Sequence, residues 1–149
     1  MVYLLYIKAS YMKELRVVGC FLWYQDRFLI LLRNNNHPDP PSWGLPAGKV
    51  DMIEGVYESD IQAVIRETWE ETGYMIHENM LEPLGTHIFY PSNFKLIFPT
   101  FAVQLDSPIE VILNPREHTE YRFVTAEECM QLPNLIFGFD DLLSRVKYL

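Results

Sequence analysis

The chain has 149 residues, of which 49% are hydrophobic and 21% are charged, and its formal net charge at pH 7 is -8. This length and composition predict one globular domain over residues 1–149, in which residues 1–13 form an N-terminal extension. Lysines and arginines are scattered and form no basic stripe, which excludes a protein that tracks a nucleic-acid polymer. The apolar opening, residues 1–7, is too short to cross a bilayer and lacks the features of a secretion signal, so we expect no membrane partner.

Two cysteines, Cys20 and Cys129, are far apart in the sequence and form no Cys-x-x-Cys motif. In a domain of this size they indicate buried thiols in a reducing compartment more than a disulfide. We therefore expect a cytoplasmic protein. Nothing in the composition distinguishes a monomer from a homodimer.

The predicted elements mix strands with a few helices. Residues 16–24 and 28–33 are β-rich runs around a short polar turn and predict a hairpin. The polar, proline-rich stretch 34–42 predicts a loop, and a helix is predicted over residues 60–72. The remaining predicted elements are strands at 85–90, 96–105 and 120–124, then short helices at 127–132 and 140–148. This order predicts an α+β or α/β fold with mixed strand pairing.

Both ends of the helix at 60–72 carry their own signals. Ser59 is followed three residues later by Gln62, the spacing of a capping box, in which each side chain bonds the other residue's backbone N–H. Gly73 follows the last helical residue, where a left-handed backbone conformation commonly ends a helix. The helix boundaries are therefore predicted from local sequence alone.

Three carboxylates lie close together on this helix. Glu67, Glu70 and Glu71 are spaced at i, i+3 and i+4, so they share one side of the cylinder. The predicted packing side consists of Ile61, Val64, Ile65, Thr68 and Trp69. Like charges at this spacing repel, so a cation is expected to compensate them, and oxygen ligands favour Mg²⁺, with Mn²⁺ as the alternative.

The order Arg66-Glu67-x-x-Glu70-Glu71-x-Gly73, with the lead-in Trp-Gly-Leu-Pro-Ala-Gly-Lys-Val at 43–50, resembles the Nudix box. A solvated acidic helix face would explain the charge run but not its spacing relative to the lead-in and the glycine. The resemblance implies the Nudix fold, a mixed β-sheet sandwiched between α-helices. It also implies a Mg²⁺-dependent hydrolase that cleaves the diphosphate linkage of a nucleoside diphosphate-linked compound.

The stretch before the helix departs from the family pattern by four extra residues. Glu54 has the family spacing from Gly48, whereas Glu58 has the family spacing from Arg66, so one glutamate cannot satisfy both. We place the insertion at 52–57 and expect this segment to fold over the helix N-terminus without supplying an essential ligand. In this interpretation Glu58 keeps the role of the box glutamate and Glu54 is dispensable.

The resemblance also assigns roles to single residues. It implies that Glu67, Glu70, Glu71 and the backbone carbonyl of Ala47 hold the metal. Two cations have candidate roles beside them. Arg66 fixes the rotamer of Glu70 one turn further on, and Lys49 neutralises charge on a substrate phosphate.

The general base is predicted less directly. Glu117 lies just before a predicted strand, in a stretch that is similar to the loop from which many Nudix enzymes bring a further glutamate. Glu120 and Glu58 are the alternatives. His118 is a weaker candidate for contacting substrate, and the other three histidines have no spacing typical of ligands, so they are assigned no role: His37, His77 and His87.

Substrate recognition is left open by the sequence. Arg33, at the end of the second strand, is a candidate for holding a terminal phosphate, and Phe89 is the chosen residue for stacking a base. Other aromatic candidates are Trp23, Tyr24, Tyr90 and Phe94. Residues 132–137 are a further candidate for a pocket wall.

The predicted partner is a small-molecule nucleotide, with a nucleoside or deoxynucleoside triphosphate favoured and a monophosphate plus pyrophosphate as products. The alternative substrates are ADP-ribose, a nucleotide sugar or a dinucleoside polyphosphate. A different class, a non-catalytic nucleotide-binding Nudix module, is disfavoured because all three box carboxylates are present.

Overall fold

A mixed β-sheet of seven strands forms the centre of the protein in a computed structural model, which describes residues 13–35 and 39–146. The strands are β1 (Lys13–Tyr24), β2 (Arg27–Arg33), β3 (Ser42–Gly44), β4 (Ala47–Lys49), β5 (Met52–Ile53), β6 (Val56–Tyr57), β7 (Glu82–Phe89), β8 (Phe94–Gln104) and β9 (His118–Val124). The helices are α1 (Asp60–Thr72), a 3₁₀ turn (Glu78–Met80), α2 (Ala126–Met130) and α3 (Phe139–Arg145).

The strand order in the main sheet is β3-β2-β1-β8-β7, with β4 paired to β1 and β9 paired to β2. β1 and β8 are parallel, whereas the other pairs are antiparallel. β1 and β2 are paired only beside their turn, at Trp23↔Phe28 and Tyr24↔Arg27. Further along, β3 pairs with β2 and β4 pairs with β1, so the segment from β3 to β4 bridges the two strands where they diverge.

The two faces of the sheet carry separate apolar clusters. Alternate residues of β1 point to opposite faces, as the period of a strand requires. Cys20 and its neighbours on one face pack with Ala63 and Val64 of α1. Phe21, on the other face, belongs to the cluster that contains Phe139 of α3. The predicted mixed sheet between helices is therefore confirmed.

The predicted helix is confirmed at both ends. α1 covers residues 60–72, the Ser59 and Gln62 side chains form the capping box, and Gly73 has φ 76° with its N–H bonded to the Trp69 carbonyl at 2.8 Å. The predicted faces need a correction, because Trp69 is 52% exposed while Glu71 exposes only 6%. The buried stripe follows 64, 68, 71 and 72, and this helical spacing directs position 69 away from the sheet.

The other predicted elements are present with shifted ends. β7, β8 and β9 begin two or three residues earlier than predicted, and α3 ends at Arg145. The predicted opening at 1–7, His37 and the last residues of the predicted 140–148 helix lie outside the described part of the chain. None of the helices within residues 13–35 and 39–146 combines the length and the apolarity that a membrane crossing requires.

The four extra residues form most of a small hairpin, made of β5 and β6. Its turn residues Glu54 and Gly55 have φ values of 50° and 78°, which is the conformation of the two-residue turns that suit strand twist. The expectation that this segment folds over the helix was wrong, because its four apolar side chains are each more than half exposed: Met52, Ile53, Val56 and Tyr57. The tight turn returns the chain to its starting point and leaves those side chains in solvent.

Glu58 closes the base of this hairpin. Its N–H donates to the Asp51 carbonyl at 2.9 Å, and its side chain accepts from the Asp51 N–H at 2.9 Å. The same carboxylate accepts hydrogen bonds from the Arg66 guanidinium, with Nε at 3.2 Å, and exposes 9% of its side chain. This ion pair lowers the pKa of Glu58. Glu54 lies on the exposed turn and shares none of these contacts.

We expect Glu58→Ala to lower the melting temperature by at least about 3 °C, because it leaves a half-buried guanidinium and a backbone N–H without their acceptor. Glu54→Gly is the matched control: it removes the other glutamate from a positive-φ position that glycine tolerates, and the melting temperature should stay within about 1 °C. Thermal unfolding followed by circular dichroism measures both. A larger loss in the Glu54 variant would contradict our placement of the insertion.

Candidate active site

A cleft of about 630 Å³ opens where β4, the end of β2 and α1 meet. Seven titratable residues line it: Arg33, Lys49, Asp51, Glu67, Glu71, Glu117 and His118. Aromatic residues line another part of it: Phe89, Phe94, Phe98, Phe137 and Phe139. The cleft therefore joins a charged region to an apolar one.

Glu71 is the most buried carboxylate of the cleft. It exposes 6% of its surface, and its Oε2 accepts a hydrogen bond of 2.8 Å from the Ala47 N–H. Burial raises the pKa of Glu71 to about 8, and the carboxylates of Glu67 and Glu117 add to this effect. The hydrogen bond from Ala47 and the charge of Arg33 act in the opposite direction without cancelling it. Without a further cation, this buried carboxylate favours its protonated form.

Glu67 lies against the turn that precedes the helix. A β-carbon at Gly48 would overlap the Glu67 carboxylate, so the glycine makes this close approach possible. The carboxylate also accepts a hydrogen bond of 2.8 Å from Arg66 Nη1. Burial raises the pKa of Glu67, although the bond from Arg66 opposes this. Glu67 and Glu71 thus face the same turn from successive turns of α1.

Arg66 connects the helix to the turn. Besides Glu58 and Glu67, it contacts Glu70 Oε2 at 3.2 Å, Asp51 Oδ2 at 3.4 Å and the Lys49 carbonyl at 3.0 Å. The predicted contact with Glu70 is present, but Glu70 is half exposed and does not line the cleft. Its hydrogen bonds to several carboxylates raise the pKa of Arg66, so the guanidinium keeps its charge.

Glu117 reaches the cleft from the other side. It ends a turn in which its N–H donates to the Asn114 carbonyl at 3.0 Å, while its own carbonyl accepts from the Asn34 N–H at 2.7 Å. The Glu120 alternative does not line the cleft, because its carboxylate accepts a hydrogen bond of 3.0 Å from Arg122 on the surface. Of the three base candidates, Glu117 is the one whose side chain lines the cleft without a partner that occupies it.

His118 was undervalued by the sequence, where it was weighed as an ordinary histidine next to a candidate base. It exposes 6% of its surface and lines the cleft. Burial lowers the pKa of His118 to about 4, and the charge of Arg33 adds to this effect. Ligand atoms of His118, Glu71 and Glu117 all lie within 4.8 Å of one another. The available signal was its position at the start of a strand that pairs with the end of β2.

Two cations face the same cleft. Arg33 ends β2, and Lys49 ends β4. Neither forms an ion pair with a carboxylate in residues 13–35 and 39–146. Exposed cations that line a cleft and have no internal partner are suited to an anionic ligand.

Phe89 lies in the wall of the cleft and is 7% exposed, with the Arg145 guanidinium 4.8 Å from its ring centroid. Phe94 also lines the cleft, and Phe137, which the sequence placed in a candidate pocket wall, is 62% exposed there. Among the other predicted aromatic candidates, Trp23 is buried in the core and Tyr90 lies outside the cleft lining. The exposed aromatic surface of the cleft therefore comes mainly from residues other than Phe89.

The residues of the charged region fit a divalent cation. They offer carboxylate oxygens that converge from α1 and from the turn before β9, and burial disfavours the charge on Glu67 and Glu71 in the absence of a cation. Hard oxygen donors of this kind are typical of Mg²⁺ and Mn²⁺ sites. Glu67 and Glu71, with Glu117 opposite, are the side chains positioned to hold it.

A family model described as NUDIX domain matches residues 13–145. The MutT protein of Methanosarcina mazei Go1 is 27% identical, with a TM-score of 0.76, over 93% of this chain and 96% of that chain. The MutT NUDIX hydrolase of Burkholderia pseudomallei is 23% identical, with a TM-score of 0.73, over 91% and 99%. An Ap4A hydrolase of C. elegans is 25% identical, with a TM-score of 0.66, over 89% and 93%. No curated protein matches the sequence.

The family match covers all nine strands and three α-helices of the described residues, and it includes every residue that lines the cleft. The chain therefore belongs to the Nudix hydrolase family, whose members are enzymes that cleave nucleoside diphosphate-linked compounds with the help of divalent cations.

Proposed function

We propose that this enzyme is a Mg²⁺-dependent, MutT-like pyrophosphohydrolase that converts a nucleoside or deoxynucleoside triphosphate to a monophosphate and pyrophosphate. The observation that carries the proposal is the division of one cleft into a charged region and an aromatic region. A nucleotide has the same division, since its phosphates are anionic and its base is flat and largely apolar. The likeness to the M. mazei MutT protein supports the same choice.

The phosphates are assigned to the charged region. Arg33 and Lys49 line it without internal ion-pair partners among the described residues, so their charges are available to phosphate oxygens. Lys49 acts as a point charge, whereas the fork of Arg33 can hold two oxygens of a terminal phosphate. Together they offset the negative charge that would otherwise repel the substrate from a protein with net charge -8.

The metal-binding role is assigned to Glu67, Glu70 and Glu71 on α1, with the Ala47 carbonyl as a further oxygen. When bound, Mg²⁺ supplies charge neutralisation and positions the phosphate and the attacking water. Arg66 holds Glu67 and Glu70 by hydrogen bonds, which limits their rotamers. Glu70 is half exposed, so its proposed contribution depends on a side-chain rotation from its bond with Arg66.

Glu117 is proposed as the general base. Its carboxylate lines the cleft opposite α1, and it takes a proton from the water that attacks phosphorus. A bond forms between the water oxygen and phosphorus, and the bond from phosphorus to the diphosphate leaving group breaks. Glu58 is less suited to this task because its carboxylate is held by Arg66 and by the Asp51 N–H.

The base of the nucleotide is assigned to the aromatic region. Phe137 is the most exposed aromatic side chain of the cleft lining, and Phe94 is half-buried beside it. Phe89 remains part of the proposal as the ring beneath them, since its face is already covered by Arg145. Stacking on such rings tolerates different bases, which accords with a substrate class more than with one nucleotide.

A dinucleoside polyphosphate is the second candidate substrate. It is favoured by the likeness to the C. elegans Ap4A hydrolase, at 25% identity over most of both chains. We further propose that residues 1–149 form one domain in the cytoplasm, as a monomer or a homodimer. The buried, unpaired state of Cys20 and Cys129 supports a reducing compartment.

The proposal is tested with a panel of nucleoside triphosphates, deoxynucleoside triphosphates, ADP-ribose, nucleotide sugars and dinucleoside polyphosphates, assayed with Mg²⁺ and with EDTA. We expect the highest kcat/KM for a triphosphate, with monophosphate and pyrophosphate identified by chromatography and no turnover in EDTA. Preference for a dinucleoside polyphosphate would select the second candidate. Binding of nucleotides without turnover would indicate the non-catalytic module, and turnover in EDTA would contradict the metal assignment.

A second test concerns the charge of Glu71 in metal-free protein. Its folded-state pKa of about 8 lies above the ordinary value of 4.5, so it contributes stability that is complete below about pH 4.5 and is lost as the pH rises through 8. In EDTA at pH 8.5, we expect Glu71→Gln to melt at least about 3 °C above the wild type, with a smaller difference at pH 5.

Glu70→Gln is the matched control, because its half-exposed carboxylate should change the melting temperature at pH 8.5 by less than about 1 °C. Added Mg²⁺ should stabilise the wild type more than Glu71→Gln. Equal melting of wild type and Glu71→Gln at pH 8.5 would show that the buried charge is compensated without a metal.

The role of Glu117 is tested by kinetics. If it is the base, Glu117→Gln should lower kcat by about 10² to 10⁴-fold with a smaller change in KM. Glu120→Gln, whose carboxylate is bonded to Arg122 outside the cleft, should leave kcat within about 3-fold. A loss confined to Glu120→Gln would transfer the role to that residue, and no loss in either would point to another base.

A further inference from the structure

We propose that His118 supplies an imidazole nitrogen to a cation held by Glu71 and Glu117, so that this enzyme binds Mn²⁺ or Co²⁺ in preference to Mg²⁺ at that position. The inference rests on the proposed function, because it concerns the metal region of the same cleft. It goes beyond it by adding a nitrogen ligand to a set that otherwise consists of oxygens.

The strand pairing brings His118 to the cleft. It is the first residue of β9 and lies opposite Arg33 at the end of β2, where the register between the two strands shifts. Its N–H donates to the Asn114 carbonyl at 2.9 Å, which fixes the backbone where the turn enters the strand. The ring therefore has little freedom to leave the site.

The ring is buried but not satisfied. His118 exposes 6% of its surface, and its Nδ1 has no hydrogen-bond partner within residues 13–35 and 39–146. Most buried polar side-chain atoms have a partner, so an unpartnered one that lines a cleft calls for an explanation. A ligand that binds in the cleft would provide one.

The neighbouring groups indicate a cation as that ligand. A ring nitrogen of His118 and one carboxylate oxygen each from Glu71 and Glu117 lie within 4.8 Å of one another. Two ligand atoms on opposite sides of a first-row cation are separated by about 4.2 to 4.4 Å, so small side-chain movements would bring all three into contact with one ion. The two carboxylates would also lose their mutual repulsion, which contributes to the protonation of Glu71 in its absence.

The nitrogen decides which cation is preferred. Mg²⁺ takes oxygen ligands and retains several waters, whereas imidazole suits first-row transition ions. Mn²⁺ and Co²⁺ accept both carboxylate oxygen and imidazole nitrogen. A site with two carboxylates and one imidazole should therefore bind these ions more tightly than Mg²⁺, while an all-carboxylate site would show a weaker preference.

The inference is tested by binding measurements on the full chain without substrate. Mn²⁺ affinity is measured by electron paramagnetic resonance, and Mg²⁺ affinity by competition. We expect Mn²⁺ to bind at least about 10-fold more tightly than Mg²⁺, and His118→Asn to lower the Mn²⁺ affinity by about 10-fold or more while Mg²⁺ affinity changes by less than about 3-fold. His77→Asn, at an exposed position outside the cleft, is the matched control and should change neither.

A spectroscopic measurement removes the dependence on a variant that folds. Electron spin echo modulation of bound Mn²⁺ in protein with ¹⁵N-labelled histidine should show a coupling to an imidazole nitrogen. Absence of that coupling, or an equal loss of Mn²⁺ and Mg²⁺ affinity in His118→Asn, would overturn the inference. Nucleotide turnover without nitrogen coupling would reject the role of His118 and retain the proposed function, whereas nitrogen coupling without turnover would do the reverse.

Discussion

The site depends on one close approach, between the turn at β4 and the carboxylates of α1. The Ala47 N–H donates to Glu71, Gly48 leaves room for the Glu67 carboxylate, and the Lys49 carbonyl accepts from Arg66. Three consecutive residues of the turn thus contact three successive functional positions of the helix. Because β4 also pairs with β1, the central sheet sets the distance between these two elements.

This approach places negative charge where water is largely excluded. Glu71 is buried and held by a neutral donor, while the guanidinium of Arg66 is engaged with carboxylates further from the cleft, including Glu58 and Glu70. The arrangement leaves the interior of the site short of positive charge. A protein that keeps such a deficit is suited to bind cations and, through them, phosphates, since both then stabilise the folded state by mass action.

The four-residue insertion shows how the fold protects this arrangement. The hairpin of β5 and β6 leaves the chain at Asp51 and returns at Glu58, and two hydrogen bonds between those residues close its base. Extra residues can therefore project into solvent while the distance from the turn to the start of α1 is unchanged. Glu58 keeps its contact with Arg66 because it lies inside this closure, whereas Glu54 lies at its tip.

The sequence by itself determined what depends on near neighbours. Helix α1, with its Ser59 cap and its Gly73 end, and the spacing of its carboxylates follow from contacts within a few residues, and the box spacing therefore identified the family. Only the tertiary structure decided that Glu71 is buried while Trp69 is exposed, and that His118 enters the cleft. Those outcomes depend on which stripe of the helix meets the sheet and on strand pairing between distant segments, neither of which is encoded in local spacing.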